Sequence, residues 1–300
     1  MSPIEIKGFD PARLEEIAND QTKLYNFSIS KLPEFEPAKA EDTIKRFKRE
    51  KFDQSRMFYA YDGNRMVGYV GLTGRDKEKN QRGAGYPWLA EATDPKVREQ
   101  LFEAMLKKCK AEGLKTLNYF ASPRYPEQLN FFKEKGFQTK VEFLGHSKKL
   151  KKNKYKLPPG YAFRELKRAD LPIVETVSKN DPKIKSPFNA ADFEQFQLSS
   201  SDYDPQSYIV AEKDGTIIGY FGIYVPKDSK NEKAYFSGVS VHKDHQNIEE
   251  FMMKEMENRA LARGKKRVEM SFFPDSQRKP FYQKQGYKLV EQSYELHKAL

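Results

Sequence analysis

Residues 80–89 read NQRGAGYPWL, and the fold turns on whether Arg82-Gly83-Ala84-Gly85 cradles a phosphate or belongs to a sheet. A glycine-rich cradle works when the backbone can approach an anion and a helix begins at once, so that free N–H groups and the helix dipole point at the charge. Here the next residues, Tyr86-Pro87-Trp88-Leu89-Ala90, read as a strand. Arg82 to Gly85 is therefore expected to be the turn of a hairpin entering that strand, with no anion site.

Working outward, 300 residues with 38% hydrophobic content can fill two ordinary cores. No apolar run approaches the ~18 residues of a membrane span, and no secretory leader pattern stands at the start, so no membrane association and a cytoplasmic location are expected. A single cysteine, Cys109, has no partner for a disulfide and no neighbouring ligands at metal-site spacing, so no metal is expected.

The net charge of +11 is concentrated. Six of the excess positive charges fall in KKLKKNKYK, residues 148–156, which is followed by Leu157-Pro158-Pro159-Gly160. That stretch reads as an exposed basic linker over residues 148–160, flanked by domains at 1–147 and 161–300. Its lysines give a possible nonspecific contact with nucleic acid or another polyanion through Lys148 to Lys156.

The two sides of this linker repeat each other. Asp62-Gly63-Asn64-Arg65-Met66-Val67-Gly68-Tyr69 returns as Asp214-Gly215-Thr216-Ile217-Ile218-Gly219-Tyr220, a two-strand hairpin turned by Asp-Gly. Ala111-Glu112-Gly113, ending one helix, returns as Ala262-Arg263-Gly264. Asn130-Phe131-Phe132-Lys133-Glu134-Lys135-Gly136-Phe137 returns as Pro280-Phe281-Tyr282-Gln283-Lys284-Gln285-Gly286-Tyr287. The offsets of 150 to 152 residues describe a domain duplication. In the first half, periodicity predicts helices from residue 11, over 38–52, 97–112 and 127–135, and strands at 4–7, 57–61, 66–72, 86–92, 117–121 and 141–144. The second half predicts the same alternation, with strands at 162–166, 208–212, 217–225, 234–242, 268–272 and 289–296, and helical segments at 171–177, 193–198, 248–263 and 277–284. The fold class is therefore α/β of the α+β kind, each half a mixed, mostly antiparallel sheet flanked by helices.

This order of elements, ending in a short helix and an aromatic-x-x-x-Gly-aromatic tail, resembles the GNAT superfamily of acyl-CoA-dependent N-acetyltransferases, and the resemblance appears twice. Its most specific piece is Phe281-Tyr282-Gln283-Lys284-Gln285-Gly286-Tyr287, similar to the family's Leu-Tyr-Glu-Lys-x-Gly-Phe ending. The resemblance implies acetyl-CoA or another acyl-CoA as co-substrate and an amine-bearing small molecule or protein as acceptor. The family's pyrophosphate loop, Arg or Gln, two residues, Gly, any residue, then Gly or Ala, is degenerate in both halves. Residues 94–100 and 242–250 contain no glycine, and Glu99, or Glu249 and Glu250, place negative charge there.

By the same resemblance, Tyr282 stands at the position of the tyrosine that protonates the leaving thiolate, and its first-half counterpart Phe132 has no proton to give. Activity is therefore expected in the second half. Glu232 and His242, at the two ends of the fourth strand there, are the candidates for taking the amine proton, beside Glu91 in the first half. Acyl-CoA contacts fall on Val239 and Val241 through their backbone, and on Gln246, Asn247 and Ile248 at the helix start. Two functions follow: an N-acetyltransferase working through the second half, or a catalytically inactive pair of such folds binding a protein, ribonucleoprotein or small ligand.

Overall fold

The computed structural model describes residues 3–30, 37–49, 52–76, 78–184, 187–198, 203–225 and 232–300. The chain divides into two compact units, Met1–Glu142 with Ser293–Leu300, and Phe143–Gln292. In chain order the first stretch gives β1 (Glu5–Gly8), α1 (Leu14–Ile29), α2 (Ala40–Phe47), β2 (Met57–Asp62), β3 (Arg65–Asp76), β4 (Gln81–Ala84), β5 (Trp88–Leu89), α3 (Lys96–Ala111), β6 (Thr116–Ala121), α4 (Pro126–Glu134) and β7 (Gln138–Lys149). The second gives β8 (Tyr161–Glu165), α5 (Leu171–Lys179), α6 (Ala190–Phe193), β9 (Tyr208–Lys213), β10 (Thr216–Tyr224), β11 (Lys233–Val241), α7 (Glu249–Ala262), β12 (Arg267–Phe272), α8 (Lys279–Lys284) and β13 (Lys288–Ala299).

The sheet of the first unit runs β1-β2-β3-β4-β6-β13, with β5 on β3, and only β4 and β6 are parallel. Its closing strand is the C-terminal part of β13, where Tyr294 lies opposite Ala121 and Ala299 opposite Thr116. The second unit runs β7-β12-β11-β10-β9-β8, with only β11 and β12 parallel. Its closing strand is the C-terminal part of β7, Leu144 opposite Phe272 through Lys149 opposite Arg267. Each unit is thus a mixed, mostly antiparallel sheet.

The cores follow the sequence pattern. On α3, Val97, Leu101, Phe102, Met105, Leu106 and Cys109 recur at helical spacing and all are buried against strands of the first unit. Burial pushes the Cys109 thiol up to about 11, so it stays protonated and packs as a small apolar group. On α7, Met252, Met253, Met256 and Ala260 do the same for the second unit.

Three expectations need correction. Arg82 to Gly85 is no turn: β4 occupies residues 81–84, hydrogen-bonded to β3 on one side and β6 on the other. Its glycines permit close approach, since a Cβ on Gly83 would meet Thr73 Oγ1 at 2.0 Å and one on Gly85 would meet the Gly71 carbonyl at 2.3 Å. Arg82 itself is buried between Asp53 (3.2 Å) and Glu112 (3.4 Å). The turn lies just before, at Asn80 with φ 48°. Second, residues 148–160 are not a free linker. Lys148 and Lys149 end β7, Leu150 is buried, Lys148 Nζ donates to Glu257 at 2.7 Å, and Asn153 and Tyr155 donate to Glu257 and Glu255 of α7. The compact units accordingly divide at Glu142/Phe143 and at Gln292/Ser293, and the basic run lies within the second unit, against β12 and α7. Third, the second helix is shorter than 38–52, ending at Phe47, and residues 50–51 lie outside the described residues.

Candidate functional site

The second unit opens a cleft where β11 and β12 part. They pair in parallel only from Lys233 opposite Arg267 to Tyr235 opposite Glu269, and beyond Tyr235 β11 runs without β12. Along that free stretch β11 stays paired with β10 on its other side, interrupted by a bulge between Gly222 and Ile223. Gly238, opposite Gly222, sits at φ 148°, a conformation glycine tolerates and L side chains rarely adopt.

Successive residues of a strand turn their N–H groups to opposite sides. His242 N–H donates to the Ile218 carbonyl of β10, so the N–H groups of Val241 and Val239 point the other way, into the cleft. That of Val241 is taken: it donates to the Asp181 carboxylate at 2.6 Å. Asp181 is 4% exposed and pairs also with the guanidinium of Arg278. Arg278 in turn donates to Glu249 at 2.5 Å, and Lys183 reaches the other oxygen of Glu249 at 2.8 Å. Glu249, the first residue of α7, is 1% exposed. Two buried carboxylates thus stand at the end of β11 and the start of α7, each neutralised by cations of the same unit.

Two cavities meet on this strand. One, of about 210 Å³, lies in the cleft and is lined by Phe236, Met270, Arg278 and Tyr282 among others; the second, also about 210 Å³, lies towards α6 and is lined by Phe188, Phe193, Tyr208 and Tyr220. Both share Ser237, Gly238 and Val239. Tyr282 is 3% exposed, packed edge-on to Phe236 at 6.2 Å and against Phe272 at 5.5 Å. Burial holds its phenol well above the ordinary tyrosine value, so it remains a proton donor at neutral pH.

The structure brings Tyr282 and Val239 to one cavity and leaves the other sequence candidates outside it. Val241 flanks the cavity with its N–H occupied. Glu232 stands at the opposite end of β11, ion-paired with Lys266. His242 caps the turn Lys243–Ile248, its Nδ1 accepting from Asp244 N–H at 3.4 Å. Ten residues of extended chain at roughly 3.3 Å each keep Glu232 and His242 on the order of 30 Å apart. Gln246 donates to the Val241 carbonyl at 2.7 Å, Ile248 is fully buried, and Asn247 lies in the same turn. Sequence reasoning missed Asp181, Lys183 and Arg278 as site residues. Asp181 and Lys183 fall in a stretch that the periodicity leaves unassigned, and Arg278 at the start of the short helix expected over 277–284, where nothing local marks it as a partner of Asp181 and Glu249.

In the first unit the counterpart of Tyr282, Phe132, is fully buried and stacked on Tyr119 at 3.7 Å. The start of α3 is closed by Asp94, which accepts the Lys96 N–H at 2.9 Å. Among the described residues no cluster of three or more His, Cys, Asp or Glu side chains could hold a metal ion, and no helix is long and apolar enough to cross a membrane.

The family model of the Acetyltransferase (GNAT) family matches residues 165–287, within the second unit. No curated protein matches the sequence. Among solved structures, a tandem GNAT protein from the clavulanic acid biosynthesis pathway is similar over 99% of this chain and 98% of its own, with a TM-score of 0.73 at 13% identity. A GCN5-related N-acetyltransferase from Sphaerobacter thermophilus is similar over 100% and 97%, with a TM-score of 0.69 at 14% identity. N-myristoyltransferase from Saccharomyces cerevisiae, with bound myristoyl-CoA and inhibitors, is similar over 99% and 80%, with a TM-score of 0.60 at 12% identity. At these identities the likeness is one of fold. The GNAT resemblance read from the sequence therefore holds: the second unit carries a GNAT domain, and the chain as a whole has the tandem GNAT fold.

Proposed function

We propose that the protein is an N-acyltransferase whose second unit takes an acyl-CoA thioester along β11 and an amine from the α6 side. The observation that carries this reading is the pair of cavities that share Ser237, Gly238 and Val239, because acyl transfer needs donor and acceptor to reach one carbonyl carbon from two directions. The inward N–H of Val239 is placed to stabilise the oxyanion that forms as the amine nitrogen attacks. The C–S bond then breaks, and Tyr282 gives its phenolic proton to the leaving thiolate. Neither Glu232 nor His242 lines either cavity, so in this proposal the amine proton leaves through water in the cleft.

The residues fit the two ends of acyl-CoA differently. The acyl-pantetheine arm would suit a strand with an inward N–H at Val239 and the Tyr282 phenol lining the same cavity. A pyrophosphate at the start of α7 would find no glycine loop, and Glu249 there is buried and already paired with Arg278 and Lys183, so the arm, rather than the phosphates, would carry the donor's affinity. The acceptor cavity is lined by Ile184, Phe188, Phe193, Tyr208 and Tyr220, with no carboxylate among them, which suits an amine on an aromatic or apolar body presented neutral.

A second reading, a binding module without catalysis, is favoured by the Asp181 contact, since the N–H nearest the family's cofactor end is already satisfied. Calorimetric titration of the full chain with acetyl-CoA, followed by an assay of thiol release with arylalkyl amines, separates the two. Binding with amine-dependent thiol release supports the enzyme, and binding without turnover, or no binding, supports the module.

A further inference from the structure

A larger cavity, of about 660 Å³, lies in the first unit, where no step of the proposed transfer occurs. It is lined by Gln21 and Tyr25 of α1, Arg46 of α2, Arg49 beyond it, Arg56, Tyr69 of β3, Tyr86 and Trp88, and no Asp or Glu lines it. Arg56 is partly engaged by Asp53, whose carboxylate lies 3.5 Å from its Nε. Among the described residues Arg46 and Arg49 have no carboxylate partner. The charge of Arg46 reaches the hydroxyls of Tyr25 and Tyr69: burial pushes both phenols up, and Arg46 opposes the push.

Two neutral polar groups make this more than a surface dent. Tyr69 is 8% exposed, it lines the cavity, and its hydroxyl has no hydrogen-bond partner among the described residues. Gln21 is 4% exposed; its carbonyl oxygen accepts from Tyr59 at 3.2 Å, while its amide N–H groups have no partner among the described residues. Neither atom is sealed from solvent, so both donors are open to a ligand that enters the cavity. The remaining wall is aromatic, with Trp88 edge-on to Tyr25 at 5.6 Å and to Tyr86 at 5.0 Å.

We propose that this cavity binds a small organic carboxylate with an aromatic or medium-length apolar body, its carboxylate towards Arg46 and Arg49 and its body against Tyr25, Tyr86 and Trp88. The volume lies within the ~300–1,000 Å³ of small-molecule sites. Planar guanidinium groups match a carboxylate's two oxygens, and the donors of Tyr69 and Gln21 supply acceptor-seeking contacts for a carbonyl or the same carboxylate. A phosphate ester would use the arginines equally but would not need the aromatic wall.

Trp88 is the only tryptophan of the chain, so its emission reports this cavity directly. The full chain is titrated with 4-phenylbutyrate and with octanoate, then with 4-phenylbutanamide and inorganic phosphate. A saturable change in emission with the carboxylates is expected, weakened about tenfold or more for the amide and for the Arg46→Gln, Arg49→Gln double variant, a loss of roughly 1.4 kcal/mol. Both arginines are exposed, so the double variant keeps the fold, and Tyr69→Phe should weaken binding less while leaving the unliganded emission unchanged. Equal binding of acid and amide, no saturation by either carboxylate below about 10 mM, or phosphate binding as tightly as 4-phenylbutyrate would each overturn the assignment. Acetyl-CoA titration of the second unit reads out separately, so failure here leaves the proposed transfer standing.

Discussion

The carboxylate of Asp181 accepts the N–H of Val241 at 2.6 Å on the side of β11 that β12 has left open. In the proposed transfer the donor's amide groups would lie along that edge, so Asp181 would compete with the donor for this N–H. Arg278 fixes the contact by holding Asp181 and Glu249 together.

Asp181→Ala frees the Val241 N–H and leaves Arg278 paired with Glu249. If the donor arm has to displace Asp181, acetyl-CoA should bind the variant about tenfold tighter, near 1.4 kcal/mol, at some cost in stability. Isothermal titration of both proteins checks this. An unchanged affinity would mean that the donor does not use this N–H.

Tyr282→Phe removes one hydroxyl from a ring otherwise packed between Phe236, Phe272 and Tyr287. Turnover should fall by about 10²-fold, the usual range for losing a general acid, with acetyl-CoA affinity little changed. Thiol-release kinetics and calorimetry on the same preparation read the two quantities. Full turnover in the variant would remove Tyr282 from the mechanism.

How far the sequence carried the fold can be judged from particular elements. The duplication, the α3 and α7 faces and the two aromatic-Gly-aromatic tails were legible because periodicity and helix stops are local signals. The closing strands were not. β7 and β13 read as final strands at residues 141–144 and 289–296, but each spans twelve residues, and the far end of each pairs with a strand more than a hundred residues away in sequence. Strand pairing at that separation leaves no trace in a local window. The Arg82 to Gly85 stretch misled for a related reason: glycines chosen for close approach to Thr73 and Gly71 look like a turn until the neighbouring strand is known. At the site, Tyr282 and Val239 were legible through the tail motif and strand order, whereas Asp181, Lys183 and Arg278 meet only in three dimensions.

Because Ser293–Leu300 closes the first unit, a chain ending at Gln292 should damage the domain farthest from the cut in sequence. It would strip β6 of one of its two partner strands, leaving β4, and remove Leu296, which is fully buried in the first core. Hydrogen exchange is expected to lose protection at residues 116–121 while residues 267–272 keep theirs. Leu296→Ala should reproduce the effect in milder form, about 2–5 kcal/mol. Protection at β6 that survived truncation would show that the strand is not needed.

Acid stability should depend on Asp170. Hydrogen bonds from Arg164, at 2.6 and 3.0 Å, hold its carboxyl below the ordinary aspartate value, helped by the Lys167 N–H at 2.7 Å. A carboxylate whose folded value lies below the unfolded one, about 3.9, binds protons more readily in the unfolded chain. Its contribution is therefore fully present above that value and is lost as pH falls through the depressed folded value. Arg164→Gln raises the folded value towards the unfolded one. The variant should be less stable at neutral pH by roughly 1–2 kcal/mol, allowing for the partial exposure of Arg164, and the difference should shrink as the pH falls below about 4. Denaturant midpoints measured from pH 7 down to pH 3 test this, and a difference that stayed constant across the range would assign the loss to packing instead of charge.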